Sequence, residues 1–122
     1  MKELLFVYNP NSGQQTIGEY ISWIVDYFSK NGYLVTIYAT QESGDCRKIV
    51  GEIGHKFERI VVSGGDGTLD EAVSGAVKAG ISPRFSYIPT GSTNDFAKSL
   101  NIPLDIKEAS KLAISDKIKD ID

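Results

Sequence analysis

The chain has 122 residues, 41% of them hydrophobic and 24% charged, which is enough for one domain with a core of its own. A surplus of 16 acidic over 13 basic residues leaves a net charge of −3, which argues against a nucleic-acid surface, where a basic excess is the rule. No apolar run approaches the roughly 20 residues of a membrane helix, no signal-peptide pattern opens the chain, and the single cysteine excludes an internal disulfide, so a reducing cytoplasm is the expected setting.

Leu4-Leu5-Phe6-Val7-Tyr8 is a continuous apolar run, and the pattern predicts a buried strand over 4–9 that ends at Asn9-Pro10. Pro10 and Gly13 then force a turn. Ile17, Ile21, Ile24, Val25 and Phe28 recur at helical spacing. They predict a helix from near Thr16 to just before Asn31-Gly32, a common C-terminal signal. Tyr20, Trp23 and Tyr27 flank that stripe and are expected at the margin of the core, with a partner surface as the alternative. Tyr33 to Ala39 alternates and is rich in β-branched and aromatic residues, the pattern of a second strand. The loop Thr40-Gln41-Glu42-Ser43-Gly44-Asp45 follows, with Ser43 or Asp45 as candidate cap of a helix through Cys46, Ile49, Val50 and Ile53. Cys46 is expected as a small buried residue, with no base near it in sequence. His55 is the only histidine, so a multi-histidine metal site is excluded.

A third strand is predicted over 58–63 and a helix over 68–79, ended by Gly80. A fourth strand covers about 84–88. A short helix runs from near Thr93 to about Leu100, before Asn101-Ile102-Pro103. Asp105 is the expected N-cap of a last helix carrying Ile106, Ala109, Leu112 and Ala113. The tail, Lys117 to Asp122, alternates polar and apolar residues like the start of a further strand. Strands alternating with helices predict an α/β fold of three layers, a mostly parallel sheet with helices on both faces. Ligands of such sheets bind at the carboxyl ends of the strands, and every glycine-rich loop of this chain falls at that end.

The central loop is Ser63-Gly64-Gly65-Asp66-Gly67-Thr68-Leu69-Asp70-Glu71, between the apolar run Ile60-Val61-Val62 and a helix start. Its three closely spaced glycines remove the Cβ atoms that would keep a bulky group off the backbone. The N–H groups of a first helical turn, with the positive end of the helix dipole, suit an anion, most often a phosphate. Asp66 is expected in the turn itself, where a carboxylate repels phosphate unless a cation stands between. The reading is a phosphate cradle with an Mg²⁺-linked acid; a turn-stabilising role for the Asp66 side chain is the alternative. Asp70 and Glu71, in the first helical turn, fit either function or the dipole. Two further strands run out into small-residue loops, at Asn9-Pro10-Asn11-Ser12-Gly13 and at Pro89-Thr90-Gly91-Ser92-Thr93-Asn94-Asp95-Phe96-Ala97. Neither a Walker loop nor a Rossmann fingerprint is present.

GGDGTLDE resembles the signature of the diacylglycerol kinase catalytic domain, in the superfamily that also holds NAD kinases and phosphofructokinases. Asn9 to Gly13 resembles that family's NPxSG loop. Thr40 with Gly44-Asp45 resembles its TxxxGDA segment, with Cys46 in place of Ala, and Pro89 to Ala97 resembles its PxG[ST]xNDFA loop. These motifs stand in order over essentially the whole chain. The resemblance implies a Rossmann-like fold and ATP- and Mg²⁺-dependent phosphorylation of a lipid hydroxyl. It implies an ATP site lined by Asn9, Pro10, Asn11, Ser12, Gly13, Thr40, Gly64, Gly65, Asp66, Gly67, Thr68, Leu69, Asp70, Glu71, Gly91, Ser92 and Asn94. Asp66 is the expected Mg²⁺ ligand, and Asp66 and Asp95 are the expected catalytic carboxylates. Asp95, near a helix start, could instead only cap, and Asn94 is expected to fix its loop. Gln14 stands where many family members have a basic residue.

The resemblance further implies that residues 1–122 are the N-terminal, nucleotide-binding half of a lipid kinase. A β-rich domain beyond them would bind the lipid and supply the catalytic base, so the isolated chain is expected to be inactive. Contact with the membrane surface would be peripheral, and a homodimer is left open. The competing readings are an NAD-kinase-like phosphotransferase, a nucleotide-binding module without catalysis, and a purely structural domain.

Overall fold

The computed structural model describes residues 1–13, 17–91 and 94–115. Four strands form one parallel sheet: β1 Lys2–Tyr8, β2 Tyr33–Ala39, β3 Arg59–Gly64 and β4 Arg84–Pro89, in the order β2-β1-β3-β4. Leu4 through Val7 and Ile60 through Val62 are fully buried, because the two central strands are covered on both faces. That is why they read as unbroken apolar runs and not as alternation.

The helices are α1 Ile21–Lys30, preceded by a 3-10 turn at Ile17–Tyr20, then α2 Asp45–Ile53, α3 Asp66–Ala79, α4 Asp95–Ser99 and α5 Ile106–Ala113. α1 packs with α5, and α2 packs with α3. The chain leaves β1 toward one edge and β3 toward the other, so right-handed crossovers put these two pairs on opposite faces. A three-layer α/β/α fold results, and the chain direction reverses between β1 and β3. A Cβ on Gly75 would run into the Arg47 carbonyl oxygen, so the small residue is what lets α3 meet α2. Gly80, at φ 72°, terminates α3, and the Asp105 carboxylate accepts the Glu108 N–H at 3.0 Å to open α5, both as expected.

Two expectations are corrected. The helix after β3 begins at Asp66, two residues early, so Asp66 belongs to its first turn and the bend between strand and helix is Gly65. Neither Ser43 nor Asp45 caps α2: the N-cap is Gly44, at φ 88°, and its N–H goes to Glu71 of α3. A tertiary carboxylate has replaced the local cap. Arg59, which opens β3, is buried, because its Nη1 reaches the Ser86 hydroxyl at 2.8 Å and the Ala113 carbonyl at 2.9 Å, the end of α5. The expected helix starts near Thr16 and Thr93, and the expected strand over 117–122, lie outside the described residues.

Candidate functional site

The loops after β1, β3 and β4 meet at the carboxyl edge of the sheet, on either side of the reversal point. Backbone bonds set their heights: Asn9 N–H to the Ser63 carbonyl at 2.9 Å, Thr90 N–H to the Gly64 carbonyl at 3.0 Å, and Thr40 N–H to the Tyr8 carbonyl at 2.9 Å. Side chains then join them. The Ser12 and Thr90 hydroxyls share a 2.6 Å hydrogen bond. Gly13 has φ +54°, and a Cβ there would overlap the Thr90 carbonyl oxygen, so both its conformation and its neighbour demand glycine. The Asn94 carboxamide accepts the Gly91 N–H at 2.8 Å, which gives Asn94 the loop-fixing role expected of it.

Between these loops lies a cavity of about 520 Å³, within the range of small-molecule sites. Of the residues singled out in the sequence, Asn9, Asn11, Ser12, Gly13, Thr40, Gly65, Gly67, Thr68, Glu71 and Gly91 line it. Pro10, Gly64, Asp66, Leu69, Asp70 and Asn94 do not. Leu69 is a core residue, Asp70 is exposed, and Asp95 is exposed at the first position of α4. Ser92 lies outside the described residues.

Gln41, Glu42, Ser43 and Cys46 also line the cavity and were not singled out as site residues. The loop that carries them is latched by two carboxylates. Asp45 accepts the Gln41 N–H and the Tyr38 hydroxyl, each at 2.8 Å. These two bonds, the backbone one first, hold its carboxyl below the usual range, and the Tyr38 hydroxyl is correspondingly pushed up. Glu71 accepts the Gly44 N–H at 3.1 Å, tying the loop to α3. Burial first, then the Glu71 and Asp45 charges, push the Cys46 thiol up to about 12, so it stays protonated and unreactive at neutral pH.

Beneath the β3 loop, the Tyr87 hydroxyl donates to the Gly64 carbonyl at 2.8 Å and lies 3.4 Å from the Asp66 carboxylate. Burial, then the Asp66 charge, raise its pKa, so it remains a hydrogen-bond donor. Nothing in the sequence marks Tyr87 beyond an apolar strand position.

The model of the diacylglycerol kinase catalytic domain family matches residues 3–122. The chain belongs to that family. It is 35% identical to a diacylglycerol kinase of Bacillus subtilis, over 100% of this chain and 41% of that protein. It is 33% identical to one of Staphylococcus carnosus, over 93% of this chain and 37% of that protein. A crystal structure of a diacylglycerol kinase from Bacillus anthracis is similar at a TM-score of 0.82 and 35% identity, covering 91% of this chain and 41% of that one. The chain thus spans about 41% of the length of the Bacillus relatives it matches.

Within this kinase-family fold the described residues of the cavity wall include two carboxylates, Glu42 and Glu71, and no lysine or arginine. Among the described residues no group of three or more histidine, cysteine or acidic side chains could hold a metal ion by itself. Two wall carboxylates would suit a cation that keeps most of its waters and arrives with a ligand's phosphates, as Mg²⁺ does. No described helix is long and apolar enough to cross a membrane.

Proposed function

We propose that this chain is the nucleotide-binding half of a lipid kinase, and that Mg-ATP occupies the cavity for transfer of its terminal phosphoryl group to a lipid hydroxyl. The observation that carries this reading is the convergence of the loops holding Asn9 to Gly13, Gly65 to Thr68 and Gly91 on one cavity at the reversal point of the sheet. Backbone N–H groups of the glycine loops and the start of α3 would hold the phosphate oxygens. Gly65, the N-cap of α3, has no side chain to compete for that position. Ser12 and Thr68 add hydroxyl donors.

Asp66, between the cavity-lining Gly65 and Gly67, would bind Mg²⁺ directly or through water, with Tyr87 orienting its carboxylate. The bound cation would neutralise charge on the phosphate oxygens that the acidic wall cannot offset. Phosphoryl transfer depends mainly on such positioning and charge balance. The lipid and the base that takes its proton would belong to the remaining length that the relatives possess, with only peripheral membrane contact and a cytoplasmic setting.

Isothermal calorimetry on this chain tests the site. Binding of ATP should require Mg²⁺, and Asp66→Asn should weaken it at least about tenfold, or 1.4 kcal/mol. Equal binding without Mg²⁺ would refute the assignment of the cation. Thin-layer chromatography with labelled ATP tests the reaction, on a protein of the relatives' full length that contains this chain. Diacylglycerol and NAD are offered in parallel. Labelled lipid supports the proposal, labelled NAD would replace it with an NAD-kinase activity, and no product would leave a nucleotide-binding module.

A further inference from the structure

The wall that the loop between β2 and α2 gives the cavity is not held by burial. Gln41, Glu42 and Ser43 are exposed and line the cavity, so hydrogen bonds have to fix them. Those bonds run through Asp45. Its N–H donates to the Glu42 carbonyl at 3.1 Å, and its Oδ2 accepts the Gln41 N–H at 2.8 Å. The Gln41 carboxamide adds a bond back to the Ala39 carbonyl at 2.9 Å.

The loop is anchored at its start, where the Thr40 N–H meets the Tyr8 carbonyl, and at its end, where Glu71 of α3 accepts the Gly44 N–H. Its middle depends on the orientation of one carboxylate. The Tyr38 hydroxyl, near the end of β2, donates to the same Asp45 Oδ2 at 2.8 Å. That bond aims the oxygen at the Gln41 N–H and ties the wall to the rigid sheet.

Strand order shows which part of the cavity this wall faces. Gly91 follows β4 and Gly65 to Thr68 follow β3, whereas the β2 loop stands beyond β1, on the far side of the sheet from Gly91. Glu71, which meets that loop, is five residues along α3 from Asp66, about 7.5 Å by helical rise. A nucleotide with its phosphates at the start of α3 therefore carries its nucleoside toward Gln41, Glu42 and Ser43.

We propose that Tyr38 is a positioning residue for the nucleotide: through Asp45 it holds the wall over 41–43 in place against the nucleoside. The inference rests on the Mg-ATP reading of the cavity, and adds to it a residue that does not line the cavity. Without the hydroxyl, the Asp45 carboxylate loses the bond that aims it, and the wall samples other positions. Apparent affinity then falls with the fraction of chains whose wall is in place. The phosphate end is held by separate bonds, from Asn9 to Ser63 and from Thr90 to Gly64, and is left as it was. A hydroxyl with a merely structural role would weaken both ends alike.

NMR titrations of the full chain with Mg-ATP and with Mg-tripolyphosphate, which has no nucleoside, test this. Tyr38→Phe should weaken Mg-ATP about fivefold or more and leave Mg-tripolyphosphate within about twofold of wild type. It should also speed amide exchange at Gln41. Tyr33→Phe removes a hydroxyl from the opposite end of the same strand; it is the control and should change neither affinity. In an Asp45→Ala background Tyr38→Phe should have no further effect, because its route runs through that carboxylate. Circular dichroism checks the fold of each variant. An unchanged Mg-ATP affinity in Tyr38→Phe, an equal loss for both probes, or an undiminished effect in the Asp45→Ala background would overturn the proposal and leave the Mg-ATP reading standing. A wild-type chain that binds neither probe would overturn both.

Discussion

Gly91 and Gly65, from loops that follow different strands, touch backbone to backbone. A Cβ built on Gly91 would stand 2.6 Å from the Gly65 Cα, whereas one built on Gly65 would stand an ordinary 3.6 Å from the Gly91 Cα. The contact is therefore asymmetric, and it separates the folding role of one glycine from the binding role of the other.

Gly91→Ala should destabilise the domain by about 1–3 kcal/mol, the usual cost of forcing a methyl into packed backbone. Gly65 has φ −82° and ψ 179°, open to any residue. Gly65→Ala should therefore change stability by less than about 1 kcal/mol, the reduced freedom of the unfolded chain offsetting the poorer N-cap, while placing a methyl on the cavity wall and lowering Mg-ATP affinity at least about tenfold. Urea denaturation and calorimetry on both variants check the pair. Equal losses of stability would remove the asymmetry.

The latch between Asp45, Tyr38 and Gln41 makes stability depend on pH in a definite direction. The folded Asp45 pKa lies below the unfolded one. Its contribution is thus present above the unfolded value of about 3.9 and is lost as pH falls through the folded value. Asp45→Asn should lower stability at pH 7 and remove part of the acid-side slope. Urea midpoints at pH 7, 4 and 3 read the slope, and a carboxyl NMR titration reads the group itself. An Asp45 midpoint within the ordinary aspartate range would contradict the latch.

Arg59 separates charge from packing. Its Nη1 makes two hydrogen bonds, its Nε has no partner, and the Ala113 carbonyl already receives the Ser86 hydroxyl at 2.6 Å. Removing the guanidinium leaves that carbonyl satisfied and lifts a desolvation cost. Arg59→Met should change stability by less than about 1 kcal/mol, whereas Arg59→Ala, which opens a cavity, should cost about 2–4 kcal/mol. Thermal denaturation of the two proteins decides it, and a methionine variant as damaged as the alanine one would assign the role to charge.

The sequence by itself determined the elements and the end of the sheet where the loops gather. Both are local. Apolar runs at Leu4–Tyr8 and Ile60–Val62 record burial on two faces, spacing from Ile21 to Phe28 records one buried helix face, and Gly80 and Asp105 mark helix ends through their own conformations and side chains. Cys46 was legible as a buried residue for the same reason. The motif glycines located the cavity because tight turns admit few other residues.

Only the tertiary structure decided what depends on partners far along the chain. Ser43 and Asp45 look like caps, but Glu71 reaches the α2 terminus from 27 residues away. Arg59 looks like a surface residue, until the end of α5 comes to cover it. Tyr87 looks like ordinary strand filling, until the β3 loop lies above its hydroxyl. Periodicity encodes the faces of an element, while its neighbours are chosen when all the elements pack at once.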